Sequence, residues 1–334
     1  MLKGAIIGFG KIARSSHLDA YRNVELKNLA EVSAAVEPDP QNFQISQKEF
    51  PEIKFYPSLE ELLDRETLDF VDISCPPQYH YEMLEKCISK KLNILCEKPF
   101  TLNLKEAESI REKLLESSIV FMPCHQYKYS PIWSEFKAFI DSQEGLSKPL
   151  IQFNVFRTQA DPGLETLTDK WRKSSAELGG GILIDTGIHY LYLANWMLGK
   201  PVKVMSNLTT LQHFDYNCED SAIVLLESEK GAAQITVTWA ADKRYNDAKL
   251  VCKNGGIYYE VGNKLLKSSS AGIEEIQMPD ASDKKNYSLM YVNMFRQFFN
   301  AVKNKQQNIN WIDEAYQSIF LLTKCYESSR ANNI

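Results

Sequence analysis

Residues 3–21 read KGAIIGFGKIARSSHLDAY, a strand, a glycine-rich turn and a helix in succession. Lys3 to Ile7 is a short apolar strand, the run Gly8–Ala13 (GFGKIA) follows at once, and a helix continues through Tyr21. A second apolar strand, EVSAAVEP, ends in Glu37. Strand, G-x-G-x-x-A, helix, strand and acid make up the dinucleotide-binding fingerprint. In that reading Gly8 makes the tight turn and Gly10 lets a pyrophosphate approach the backbone. Ala13 permits close helix packing, and the helix N-terminus faces the phosphates. Phe9, Lys11 and Ile12 share the turn and join the expected cofactor-binding set. Glu37 is placed to accept hydrogen bonds from both ribose hydroxyls and to repel a 2′-phosphate. The residues after it, PDPQN, bring no lysine or arginine, so NAD is expected in preference to NADP.

Outward from there, strand and helix alternate. LDFVDISCPP reads as a strand, His80 to Ser89 as a helix, and LNILCEKPF as a strand. LNLKEAESIREKLLES reads as a helix, and IVFMPCHQY closes the domain. Alternation of this length implies a doubly wound parallel sheet with ligands beyond the strand C-termini. Pro76, Glu97 and Lys98 fall at such ends, and His80 opens the helix after one; all four are expected to border the cofactor.

Bulk properties bound the rest. A net charge of −5 gives no sign of nucleic-acid binding, and no window approaches a transmembrane span. The first residues carry no basic n-region or cleavage-like site, so no signal peptide is read. Seven cysteines without a C-x-x-C pair argue for reduced thiols in a cytoplasm. With no H-x-x-x-H pair either, no metal is expected.

From Leu150 the period changes. IQFNVFRTQ, VKVMSNLTTLQ, SAIVLLESE, AAQITVTWA, AKLVCK and GIYYEV are strand-like, and from VKVMSNLTTLQ onward no helix intervenes. They imply an open, mostly antiparallel sheet. The helix after Gly181 and the stretch SLMYVNMFRQFFNAV are expected to cover one face. The other, carrying Val237 and Trp239 or their neighbours according to register, is left for self-association as a homodimer or homotetramer. The domains are drawn at residues 1–123 and 124–334.

Between two of these strands, residues 179–198 read GGGILIDTGIHYLYLANWML. Gly199 and Pro201 stop a helix that is apolar nearly all round, which is the mark of burial. Asp185 and His189 stand at i and i+4 on one face. Burying such a pair costs several kcal/mol or so unless its members are paired or hydrogen-bonded. A purely structural pair is one reading; a catalytic pair behind glycines that admit another molecule is the other.

Taken together, GFGKIA, the strand end CEKPF and GGGILIDTGIH resemble the Gfo/Idh/MocA family of NAD(P)-dependent oxidoreductases. WRKSSAELGGG and WIDEAYQSIFLLTKCYESS extend the likeness over nearly the whole chain. The resemblance implies an N-terminal Rossmann domain, a C-terminal α+β domain and oligomers packed through the open sheet. It also implies that Lys98 is the active-site lysine and that Asp185 and His189 complete the catalytic set. Many members continue the histidine as H-x-x-D; this chain has Tyr192 at that place.

The chemistry required is hydride removal from a carbinol carbon with loss of the hydroxyl proton. His189 suits the base and Lys98 the donor to developing alkoxide, with Asp185 orienting; the first two roles are interchangeable. Tyr127, Arg157, Trp171 and Arg172 are substrate-side candidates, although DKWRK reads equally as a solvated loop. The function expected is a cytoplasmic NAD-dependent dehydrogenase acting on a sugar, cyclitol or nucleotide sugar. The alternatives are an NADPH-dependent ketosugar reductase and a non-catalytic dinucleotide-binding regulator.

Overall fold

The apolar run after Met1 forms strand β1 (Leu2–Ile7), whose last four residues are buried. Those residues belong to a computed structural model that describes residues 1–143, 147–161, 173, 178–260, 264–279 and 284–332. The chain divides into two compact units. Among the described residues, the first takes Met1–Gln126 and Tyr287–Tyr316. The second takes Tyr127–Asp161, the described part of Trp171–Asn286, and the remainder from Gln317.

The first unit is built on a six-stranded sheet in the order β3-β2-β1-β4-β5-β6. Its other members are β2 (Ala30–Val36), β3 (Lys54–Tyr56), β4 (Phe70–Ile73), β5 (Asn93–Cys96) and β6 (Phe121–Pro123). Every neighbouring pair runs parallel, and β4 is buried throughout. Such continuous burial explains why these strands read as apolar runs rather than alternations. Strand β3 is three residues long, too short to show a period in the sequence.

Helix Lys284–Lys303 departs from expectation. Its aromatic face packs within the first unit: Phe295 stacks on Tyr21 at 4.9 Å and Phe299 meets Phe70 edge-on at 5.0 Å. Residues 291, 295 and 299 recur at helical spacing, so the stripe was legible. The surface it covers was not, because helix periodicity names a buried face and no partner.

The second unit holds an eight-stranded sheet in the order β14-β13-β12-β11-β7-β10-β9-β8. Its strands are β7 (Leu150–Phe156), β8 (Pro201–Thr209), β9 (Ser221–Ser228), β10 (Gly231–Thr238), β11 (Tyr245–Cys252), β12 (Gly255–Glu260), β13 (Lys264–Ser269) and β14 (Gly272–Gln277). Among the described strands of this sheet only β7 and β10 pair in parallel; the other neighbours are antiparallel. Helices Pro131–Ser142 and Ile188–Leu198 lie on one face, where Phe153 meets Trp133 at 5.5 Å and Tyr190 at 5.2 Å. Register resolves the question left open by the sequence. Val237 and Trp239 are each 1% exposed on the covered face, whereas Met205, Ile223 and Leu225 are exposed. No described helix is long and apolar enough to cross a membrane.

Candidate functional site

The dinucleotide turn behaves as its sequence requires. Gly8 has φ +89°, and a Cβ there would fall 2.4 Å from the Cys75 Cα. A Cβ on Gly10 would meet nothing within 4 Å, so the backbone is open at the start of the helical run. Ala13 is fully buried and opens a π-helical turn, Ala13–His17. Phe9 is buried too, its ring edge-on to Phe50 and Phe55; what it offers the turn is its carbonyl, which accepts Arg14 Nε–H at 3.0 Å. Lys11 and Ile12 are half-buried beside it.

Glu37 is buried at the end of β2. It accepts the Asp39 backbone N–H at 3.0 Å and the Asn42 amide. Burial pushes its carboxyl up, and those donors oppose the shift. Arg14 reaches the same corner, donating to Asn42 and to Ser46 Oγ at 2.6 Å. Sequence reasoning looked for a cation only after Glu37 and missed this one, which arrives from the first helix. An open backbone turn with a buried carboxylate at the next strand end fits a dinucleotide whose ribose carries free hydroxyls.

At the other strand ends, Pro76 is half-buried and His80 fully buried. The His80 nitrogens lie 2.8 Å from the Pro99 and Cys75 carbonyls, and burial lowers the ring's pKa. Glu97 joins a buried network that the sequence did not announce. Its Oε1 lies 3.0 Å from His17 Nε2 and accepts the Tyr291 hydroxyl at 3.2 Å; Oε2 accepts the Lys98 backbone N–H at 3.1 Å. His17 Nδ1 meets Asp72 at 2.8 Å, and Tyr21 donates to the same Asp72 oxygen at 2.8 Å. Burial alone would lower the His17 pKa, but the two carboxylates outweigh it and raise it to about 10. An aspartate inside the apolar strand FVDI was the available signal, since a buried acid needs a partner. The Cys124 sulfur lies within 4.8 Å of these ligand atoms. Both His17 nitrogens are already committed, and burial keeps the Cys124 thiol protonated, so the trio is a poor metal site.

In the second unit the opening glycines have an internal explanation. A Cβ on Gly180 would stand 1.9 Å from the Tyr326 hydroxyl oxygen, and one on Gly181 would stand 1.9 Å from the Glu219 carbonyl oxygen. Tyr326 in turn donates to the Glu219 carboxylate at 2.8 Å, which also accepts the Leu183 N–H at 3.2 Å. Gly180 and Gly181 thus permit a close approach within their own unit.

Asp185 sits half-buried in a π-helical turn, Leu183–Gly187, where the Thr186 hydroxyl donates to it at 3.3 Å. His189 follows in helix Ile188–Leu198 and is 6% exposed. Its Nδ1 lies 3.0 Å from the Tyr192 hydroxyl, and the Tyr127 ring stacks on the imidazole at 4.4 Å. Tyr192 therefore holds the histidine as well as packing. Burial raises the Tyr127 pKa, Arg157 and Arg244 pull it down, and Asp185 pushes it up, which groups these side chains in one corner. Arg157 itself donates to the Phe156 carbonyl at 2.8 Å and to Asn246 at 2.6 Å. Trp171 and Arg172 lie outside the described residues.

Comparison with known proteins matches both units. A family model described as "Oxidoreductase family, NAD-binding Rossmann fold" matches residues 2–125, and a "GFO/IDH/MocA C-terminal domain" model matches residues 150–258. A scyllo-inositol 2-dehydrogenase (NAD(+)) of Bacillus subtilis is 28% identical over 180 residues, covering 52% of this chain and 49% of that protein. A D-apiose dehydrogenase of Paraburkholderia graminis is 27% identical over 236 residues, covering 70% of this chain and 59% of that one. The matches thus span about half the length of these relatives. Among solved structures, an oxidoreductase from Agrobacterium radiobacter, in complex with NAD+, L-tartaric acid and magnesium, has a TM-score of 0.84 at 20% identity. That alignment covers 100% of this chain and 97% of the other, and it shows the fold.

Proposed function

The chain belongs to the Gfo/Idh/MocA family of oxidoreductases, and on that premise we propose that it oxidises a secondary hydroxyl of a sugar, cyclitol or nucleotide sugar with NAD. The observation that carries the cofactor choice is the pairing of an open Gly10 backbone with a buried Glu37 carboxylate. The curated relatives, an inositol and an apiose dehydrogenase, support the substrate class. Residues 1–123 serve the cofactor, and residues 124–334 serve the substrate and assembly.

The cofactor, when bound, accepts the hydride. The chain's own residues hold the carbinol and manage its proton. Gly8 to Ala13 seat the pyrophosphate, and Pro76, His80, Glu97 and Lys98 border the nicotinamide end. Lys98 donates to the substrate oxygen and stabilises developing negative charge there. His189, held at Nδ1 by Tyr192, takes the hydroxyl proton at Nε2. The opposite division of labour between lysine and histidine uses the same groups; separate pH–rate profiles of Lys98→Met and His189→Asn decide between them. Asp185 binds a neighbouring hydroxyl, and Tyr127, Arg157, Trp171 and Arg172 complete the substrate side.

The exposed side chains of Met205, Ile223 and Leu225 support assembly as a homodimer or homotetramer through the second sheet. A cytoplasmic setting accords with seven free cysteines, four of them buried. Titration with NADH and NADPH tests the cofactor assignment. A clear preference for NADH is expected, and equal affinities would remove it.

A further inference from the structure

Resting on the reading above, we propose that Arg157 and Arg244 form an anion-binding subsite beside His189, and that the substrate is a polyol bearing a carboxylate or a phosphate. Phe156 and Tyr245 pair across the antiparallel strands β7 and β11. Arg157 follows the first and Arg244 precedes the second, each just past its strand end, with Arg244 exposed. The two guanidinium groups act on each other as like charges.

Arg157 is half-buried, and both of its hydrogen bonds leave from Nη1 to neutral acceptors, the Phe156 carbonyl and Asn246 Oδ1. Among the described residues no carboxylate forms an ion pair with either guanidinium, so the Nε–Nη2 edge of Arg157 has no acidic partner there. Burial, and then the charge of Arg244, work to lower the Arg157 pKa, while Tyr190, Tyr127 and Asp185 push the other way. Among the described groups that act on Arg157, Asp185 is the one carboxylate.

The location follows from Tyr127. Its ring lies against the His189 imidazole at 4.4 Å, and its phenol feels both guanidinium charges. A group bound by the arginines would lie in the corner that Tyr127 shares with the histidine. Neutral hydroxyls do nothing to offset the repulsion between the guanidinium groups. A planar carboxylate, or a phosphate, matches the arginine fork in two parallel bonds and supplies the missing charge.

Calorimetric titration of the NADH-loaded protein tests this without requiring turnover. The probes are D-gluconate, glucose 6-phosphate and the neutral polyol sorbitol. At least one acid should bind tenfold or more tightly than sorbitol, and which acid does so tells carboxylate from phosphate. Arg157→Gln and Arg244→Gln should each weaken that acid at least tenfold and leave NADH affinity unchanged. Arg157→Lys, which keeps the charge and reports on folding, should retain part of the preference. Equal binding of acid and sorbitol, or acid binding indifferent to both glutamine substitutions, overturns the subsite. Should an acid bind through the arginines while no polyol is ever oxidised, the dehydrogenase reading fails and the subsite stands.

Discussion

The Tyr192 hydroxyl lies 3.0 Å from His189 Nδ1 and accepts the Tyr127 backbone N–H at 3.1 Å. In the tautomer that carries its proton on Nδ1, the oxygen accepts it through a second lone pair and Nε2 is the basic nitrogen. The H-x-x-D pattern that the family resemblance implies would put an aspartate here. A phenol supplies the hydrogen bond without the negative charge that would stabilise an imidazolium.

Tyr192→Phe should therefore lower kcat roughly fivefold, the equivalent of one hydrogen bond of about 1 kcal/mol, with NADH affinity unchanged. Tyr192→Asp should move the acid limb of the pH–rate profile to higher pH, because a carboxylate favours the protonated ring. Unchanged profiles in both variants would reduce Tyr192 to a packing residue.

Glu37→Ser tests the cofactor corner. Removing the carboxylate leaves Arg14, which donates to Asn42 and Ser46 close by. NADPH affinity should rise as NADH affinity falls, since a guanidinium is then left facing the 2′-phosphate. Loss of both affinities together would mean that Glu37 holds the turn rather than reads the ribose.

Two glycines separate binding from stability. Gly10→Ala places a methyl in open space, so unfolding should change by less than about 1 kcal/mol while NADH affinity falls at least tenfold. Gly181→Ala drives a methyl to 1.9 Å from the Glu219 carbonyl oxygen, so a stability loss of about 2 kcal/mol or more is expected. Denaturant titration with NADH binding reads both; the reverse pattern would refute both assignments.

The buried imidazolium gives stability a definite pH dependence. The folded pKa of His17 is about 10 against a reference of 6.5. Its contribution is complete below the unfolded value and is lost as pH rises through the folded one. Melting temperature should thus fall between neutral pH and about 10 more steeply in the native protein than in His17→Gln. That variant should also lose about 3–5 kcal/mol, because Asp72 and Glu97 remain buried without their cation. Parallel melting curves would show His17 neutral.

What the sequence disclosed follows from the range of each interaction. The turn Gly8 to Ala13 and the acid Glu37 are fixed by neighbours within one βαβ unit, so spacing revealed them. The helix end at Gly199, with φ 78°, was equally local. His17, Asp72 and Tyr291 come from three separate elements and Glu97 from the residue after β5, and no local pattern brings them together. Gly180 and Gly181 were legible as a close approach. The partners, Tyr326 and Glu219, required the fold. Helix Lys284–Lys303 was misassigned for the same reason: its apolar stripe was plain, its sheet was not.

The central claim is turnover with NAD, and an NAD-reduction assay across sugars, inositols, nucleotide sugars and their acidic forms tests it most directly. NADH formation is expected with at least one of them, and the same substrate should be oxidised faster with NAD than with NADP. For that substrate, His189→Asn and Lys98→Met should each lose roughly a hundred- to ten-thousandfold in rate while still binding NADH. Tight NADH binding with no turnover on any member of the panel would contradict the claim and make the chain a dinucleotide-binding regulator.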